Sequence, residues 1–175
     1  MALPAAAFAP SSVSSTSDDL DGMFDLAPVS LWIEDYGDLK RKLDGWRAEG
    51  VTDLVAHLSA DPQRVIDCMA LLKVLRVNQH TLRLFAADSQ QTLLGALDRV
   101  FRGDMSATVV HELDQLWRGQ LTFESETVNY ALDGRRLDVR VRARVLPGHE
   151  DSWSRVLVSL DDITARVAAQ RLRYE

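Results

Sequence analysis

The stretch R-V-L-V-S-L-D-D-I-T-A-R-V-A-A-Q, Arg155 to Gln170, changes period in its middle. Val156, Val158 and Leu160 stand at alternate positions, the spacing of a β-strand with one buried face. The Ala- and Arg-rich half after Thr164 is spaced like a helix. Neither Gly nor Pro separates the halves, and the only punctuation is Asp161-Asp162-Ile163-Thr164, whose carboxylates suit the positive end of a helix. A strand therefore feeds straight into a helix through a stiff joint.

Upstream of this joint the period is two over a long distance. Leu137, Val139, Val141, Ala143 and Val145 alternate with Asp138, Arg140, Arg142 and Arg144, and Asp133-Gly134 separates that run from T-F-E-S-E-T-V-N-Y-A-L. With Pro147-Gly148 before the last strand, three antiparallel strands meander to the joint. The alternation makes the three arginines the wet face of a half-buried strand, opposite Glu124 and Glu126, rather than a site for an anion or nucleic acid.

Two more strands lie near the front: V-S-L-W-I-E-D, Val29 to Asp35, and K-V-L-R-V-N, ending at Asn78, which can cap the helix that carries Leu82 and Phe85. Residues 38–71 between them read as helices. Leu39, Leu43 and Trp46 share a face closed by Gly50, and Asp61-Pro62 starts a further helix before Val65, Ile66 and Met69. After Asn78, Leu93, Leu94, Leu97, Val100 and Phe101 mark short helices. A longer helix follows, capped by Asp104, with Val109, Val110, Leu113, Leu116 and Trp117 on one face and Gly119 at its end. The order predicts an α+β fold: two early strands join three late ones in one sheet, with the helices on one face.

Residues 1–17 are Ala, Ser and Pro with little to bury, which predicts a flexible leader. A docking helix is expected over 18–28, with Leu20, Met23, Phe24 and Leu26 on one stripe and Pro28 as its stop. At 175 residues, 46% hydrophobic and 26% charged, one globular domain is expected, and a net charge of -6 argues against a nucleic-acid or membrane surface. The lone Cys68 excludes an internal disulfide and a multi-thiolate metal site. No apolar run approaches the ~20 residues of a membrane span, and no Lys or Arg precedes Lys40. A cytoplasmic setting is therefore expected.

These pieces in this order, A-P-V-S-L-W-I-E-D, then V-L-R-V-N-Q-H-T-L-R-L-F-A-A, the A-L-D-G-R-R-L-D-V hairpin and above all D-I-T at 162–164, resemble a PAS domain over about Leu20 to Arg166. The resemblance implies a PAS fold over 29–165: a five-stranded antiparallel sheet whose inner face and helices enclose a cavity, with the last strand central. It also implies that Asp162, Ile163 and Thr164 couple that strand to a signalling helix, 166–175, leading to an output domain such as a histidine kinase or a cyclic di-GMP enzyme. The helical insertion at 38–71 resembles a variant found at the front of such bacterial sensor proteins. The role expected is a sensory, non-catalytic module for a small ligand or partner; the alternative is a protein-interaction adaptor with a solid core.

Trp32, Phe85, Phe101, Trp117 and Phe123 are the ligand-cavity candidates, although ordinary core packing predicts the same residues. His111-Glu112 is neither half of a zincin helix, since Gln115 replaces the second histidine, nor a haem site, since Ala107, Thr108, Asp114 and Gln115 around it are small or polar. Cys68 lies outside any Asn-Cys-Arg-Phe motif of light-sensing flavin domains. No catalytic residue, metal site, haem or covalent flavin is expected, and the ligand is left open. Ile163, Val167, Gln170 and Tyr174 fall on one stripe, the seam of a two-stranded coiled coil. So short a seam needs help, expected from Leu20, Met23 and Phe24; a parallel homodimer follows, with Leu20, Met23, Phe24, Val167 and Tyr174 at its interface.

Overall fold

The alternating segments form a single five-stranded sheet in the computed structural model, which describes residues 13–103 and 105–174. Strands β1 (Ser30–Asp35), β2 (Lys73–Val77), β3 (Thr122–Tyr130), β4 (Arg136–Val145) and β5 (Val156–Asp162) lie in the order β2-β1-β5-β4-β3, every neighbouring pair antiparallel. The last strand is therefore the middle one, as the resemblance implied. This α+β arrangement, with its helical layer against the apolar rows of the sheet, is the one the hydrophobic periods predict.

The period-two rule assigns the faces. Trp32, Val158, Ala143 and Phe123 stand in one cross-strand row and are all buried, while Arg140, Arg142 and Arg144 point the other way. On that wet face Arg140 pairs with Glu126 at 3.0 Å and Glu124 at 3.4 Å, and Arg142 reaches Glu124 at 3.7 Å, the pairs expected across the hairpin. Such exposed pairs fix register more than they add stability. Gly134, at φ +91°, closes the turn between β3 and β4 where a side chain would be strained.

The expected helical insertion is three helices, α2 (Gly37–Ala48), α3 (Leu54–Ser59) and α4 (Pro62–Ala70). Asp53 and Asp61 cap the last two through Ala56 N–H and Gln63 N–H, each at 3.0 Å. After β2 come α5 (Gln79–Leu84), α6 (Gln90–Leu94), α7 (Leu97–Val100) and α8 (Ser106–Trp117). The insertion packs on α8: Arg47 lies 3.8 Å over the Trp117 ring and donates to the Trp117 carbonyl at 2.6 Å. Cys68 is fully buried in α4, and burial pushes its thiol up to about 11.

The ends differ from expectation in detail. Helix α1 spans Val13–Asp25, so the expected leader is helical from Val13 and the docking helix starts earlier than Asp18 and stops before Pro28. The run V-S-S-T-S carries no apolar period, which hid its helical state. The rest of the leader, residues 1–12, lies outside the described residues, as does the expected cap Asp104. The last helix, α9, spans Thr164–Tyr174 and so begins at the joint itself.

Candidate functional site

The joint is built by reciprocal hydrogen bonds around Thr164. Its amide and hydroxyl both donate to Asp162 Oδ1, at 3.0 and 2.6 Å, which closes the first turn of α9 on the carboxylate. The same hydroxyl accepts from Asp138 N at 3.0 Å, and Ile163 N donates to the Asp138 carbonyl at 2.8 Å. The helix is thus pinned to β4 as well as continued from β5. One turn on, Arg166 donates to Glu126 of β3 at 2.8 Å, rather than facing open water. The Arg140 hydrogen bond, and then that of Arg166, hold the Glu126 carboxyl below its usual range. Three strands therefore converge on the start of α9. Thr164→Val should lower stability by about 1–1.5 kcal/mol, with faster amide exchange at the start of α9 as the measure; exchange unchanged there would show that Asp162 alone holds the joint.

The five aromatic candidates fall into separate groups. Trp32, Phe85 and Phe101 pack together, Trp32 meeting Phe85 edge-on at 5.7 Å and Phe101 tilted at 6.1 Å. Trp117 and Phe123 are buried elsewhere, each at the rim of a different surface recess. The recess at Phe123, about 390 Å³, lies along the wet side of β3, β4 and β5, against Arg142, Arg144, Leu157 and Ser159. The other, about 380 Å³, lies between α2, the end of α8 and Trp153. Trp32, Phe85 and Phe101 line neither.

Periodicity overlooked a second group of inward side chains. Glu34 shares the inward parity of Ser30 and Trp32, and Glu112 lies beside the buried Val109, Leu113 and Leu116 of α8. The Tyr36 hydroxyl donates to Glu34 Oε2, and Ser125 Oγ donates to Glu112 Oε1 at 2.6 Å. Burial pushes both carboxyls up to about 7, against the opposing hydrogen bonds from Tyr36 and Ser125. His111, by contrast, is exposed on the far side of the helix, as its polar neighbours predicted. No group of three or more His, Cys, Asp and Glu among the described residues is placed to hold a metal ion.

The interface candidates sit on the outer side of the sheet. Leu20 and Met23 are 60% and 68% exposed, and Tyr174 is 92% exposed. Phe24 and Val167 are half-buried. Arg76 of β2 stacks on Phe24 at 4.7 Å and pairs with Asp21 at 2.9 Å, so α1 is held at β2 while α9 is held at β3 and β4. Between them run the half-buried Leu31, Ile33 and Leu157, a strip of apolar side chains on β1 and β5. No helix among the described residues is long and apolar enough to cross a membrane.

No family model matches the chain, and no curated protein does. Solved structures do. The LOV protein of Rhodobacter sphaeroides superposes with a TM-score of 0.54 at 15% identity, covering 87% of this chain and 69% of that one. A domain of a sensory box sensor histidine kinase/response regulator from Geobacter sulfurreducens gives 0.51 at 16% identity, over 86% and 97%. The PAS domain, in complex with ethanol, of a LuxR-family transcriptional regulator from Burkholderia thailandensis gives 0.51 at 9% identity, over 82% and 96%. With the strand order, the central last strand and the D-I-T joint, these likenesses show that the chain has the fold of a PAS domain.

Proposed function

We propose that this chain is a sensory PAS module, without catalytic activity of its own, that passes a signal from its interior through Asp162, Ile163 and Thr164 to α9 and onward to an output domain. The joint carries this reading. The central strand β5 leaves the sheet as a helix with no buried residue, yet the first turn of that helix is hydrogen-bonded to β4 and ion-paired to β3. A shift inside the sheet has no slack in which to dissipate before α9. The module dimerises in parallel, through Leu20, Met23 and Phe24 of α1, Val167 and Tyr174 of α9 and the strip between them. Met23→Asp with Val167→Asp should leave the melting profile near that of the wild type and convert a dimer to a monomer in sedimentation; a dimer that persists would place the interface elsewhere.

A sensor is stabilised by its small molecule. Ligand at 100 times its Kd adds about 2.7 kcal/mol, worth about 5–10 °C in a domain of this size. A thermal-shift screen with the purified chain reads that directly. The packed Trp32, Phe85 and Phe101 cluster favours a second reading, an adaptor whose solid core takes no ligand and whose outer face binds protein. A screen with no stabilising compound, joined to an unchanged dimer, would leave the adaptor.

A further inference from the structure

Two buried tryptophans, Trp117 and Trp153, line the recess of about 380 Å³ between α2, the end of α8 and the turn that leads into β5. Lys40, Leu43 and Arg47 fall at i, i+3 and i+7, so one stripe of α2 forms its first wall. Leu116 and Trp117 form the second and Trp153 the third. Both indoles are 7% exposed, whereas Leu121, which lines the same recess, is a large apolar side chain left 39% exposed. Trp153 holds φ +54°, a left-handed conformation that is costly for a bulky residue. It is kept there by its N–H on the His149 carbonyl at 2.7 Å and by Tyr36 N on its own carbonyl at 2.8 Å. Backbone strain is thus held at the residue that makes one wall.

This recess offers donors rather than acceptors. The last four carbonyls of α8, those of residues 114–117, are all taken: three by Arg118 N, Gln120 N and Gly119 N at 3.0–3.1 Å, and that of Trp117 by the Arg47 guanidinium at 2.6 Å. Among the lining charges, Lys40 pairs with Asp44 at 2.7 Å and lies 5.4 Å over the Trp153 ring, Arg118 pairs with Asp114 at 2.9 Å, and Glu150 accepts from Gly148 N at 2.8 Å. Arg47 is the lining cation with no carboxylate partner among the described residues. Its guanidinium lies 3.8 Å over the Trp117 ring, which fixes its orientation, and its remaining N–H groups are unspent among the described residues. Lys40, Arg47 and Arg118 against Asp44 and Glu150 leave one positive charge at the recess, in a chain whose net charge is -6.

We propose that this recess binds a small monocarboxylic acid, its carboxylate on the Arg47 guanidinium and its apolar body over Leu121 and the edges of the two indoles. A pre-oriented guanidinium gives a carboxylate short, charge-assisted hydrogen bonds, and one positive charge matches one acid group. The apolar lining favours a hydrocarbon body over a sugar or a second charge, and the volume lies within the range of small-molecule pockets. Trp32, Phe85 and Phe101 do not line this recess, so it is separate from the aromatic cluster of the interior. Trp153 precedes β5, so an occupant bears on the turn that feeds the central strand. That last step rests on the sensory reading; the site itself does not.

Hexanoate titrated into the nitrogen-15 labelled chain should shift the indole N–H signals of Trp117 and Trp153 and the amides of residues 40–47 and 116–121, with a Kd in the millimolar range for so few atoms. Hexanamide, its uncharged match, should bind about tenfold more weakly or not at all. Arg47→Gln should weaken hexanoate by about the same factor, and so should Leu121→Asp, which sets a like charge beside the carboxylate at an exposed position. Arg171→Gln removes an equal charge from α9 and should change nothing. No shift at the recess, shifts confined to Trp32, Phe85 and Phe101, hexanamide bound as tightly as hexanoate, or an affinity unchanged in Leu121→Asp would each overturn the site. Should Arg47→Gln not fold, Leu121→Asp decides alone. Binding is read at the recess and the sensory reading at amides 164–174, so either can fail without the other.

Discussion

Trp32→Ala should destabilise the domain by ~4 kcal/mol, near the middle of the range for truncating a buried aromatic. Trp32 is 1% exposed on the interior strand β1, with Val77 on one side and Val158 on the other in register. Its ring is held by Phe85 and Phe101, and its Nε1–H donates to Ser30 Oγ at 3.1 Å, which in turn meets Thr81 Oγ1 at 2.7 Å. Truncation removes the ring contacts, opens a void between the sheet and α5, and takes a donor from a buried hydroxyl pair. Trp32→Phe retains most of the volume and should cost about 1–2 kcal/mol. Urea titration with an unchanged m-value measures both. A Trp32→Ala loss under about 1.5 kcal/mol would mean that the ring borders empty space, and the ligand-binding reading would gain at the adaptor's expense.

What the sequence disclosed depended on whether one face of an element is wet. The β4 run was legible because Arg140, Arg142 and Arg144 alternate with buried Val and Ala, and the Asp133-Gly134 turn then fixed which glutamates they meet. The joint was legible for the same reason, with an alternating strand abutting a helical spacing and no loop between. Glu34 was concealed by attention to apolar residues, although its parity with Trp32 already placed it inside. Glu112 was harder. The buried row of α8 is Val109, Leu113, Leu116 and Trp117, which lies within the apolar face that the spacing predicts; Glu112 borders that row, and His111 is exposed. The apolar period of a helix marks the centre of its buried face and is silent on an acid at the border of that face.

Asn78→Ala should cost about 3–4 kcal/mol, because several buried polar groups lose partners at once. Sequence reading gave Asn78 the role of a helix cap, and it does accept from Thr81 N at 3.1 Å. Its other partners are 47 to 54 positions away in the chain, where no local pattern points: Oδ1 also accepts from Leu31 N at 3.0 Å, and Nδ2 donates to the Val29 carbonyl at 2.8 Å and the Phe24 carbonyl at 3.1 Å. One fully buried side chain thus ties the end of α1 and the start of β1 to the start of α5. Alanine takes a partner from Leu31 N–H and from the Val29 and Phe24 carbonyls at once, so α1 should be released before the sheet opens. Asn78→Asp keeps the acceptors but presents a carboxylate to two carbonyls. Burial would raise that carboxyl in the folded state, so the variant should be least stable near pH 8 and regain stability as pH falls and a proton restores one donor. Amide exchange across α1 with urea melts at pH 5 and pH 8 tests both substitutions: α1 protection equal to the wild type in Asn78→Ala, or an Asn78→Asp stability indifferent to pH, would mean that α1 is held by Arg76 and Phe24 instead.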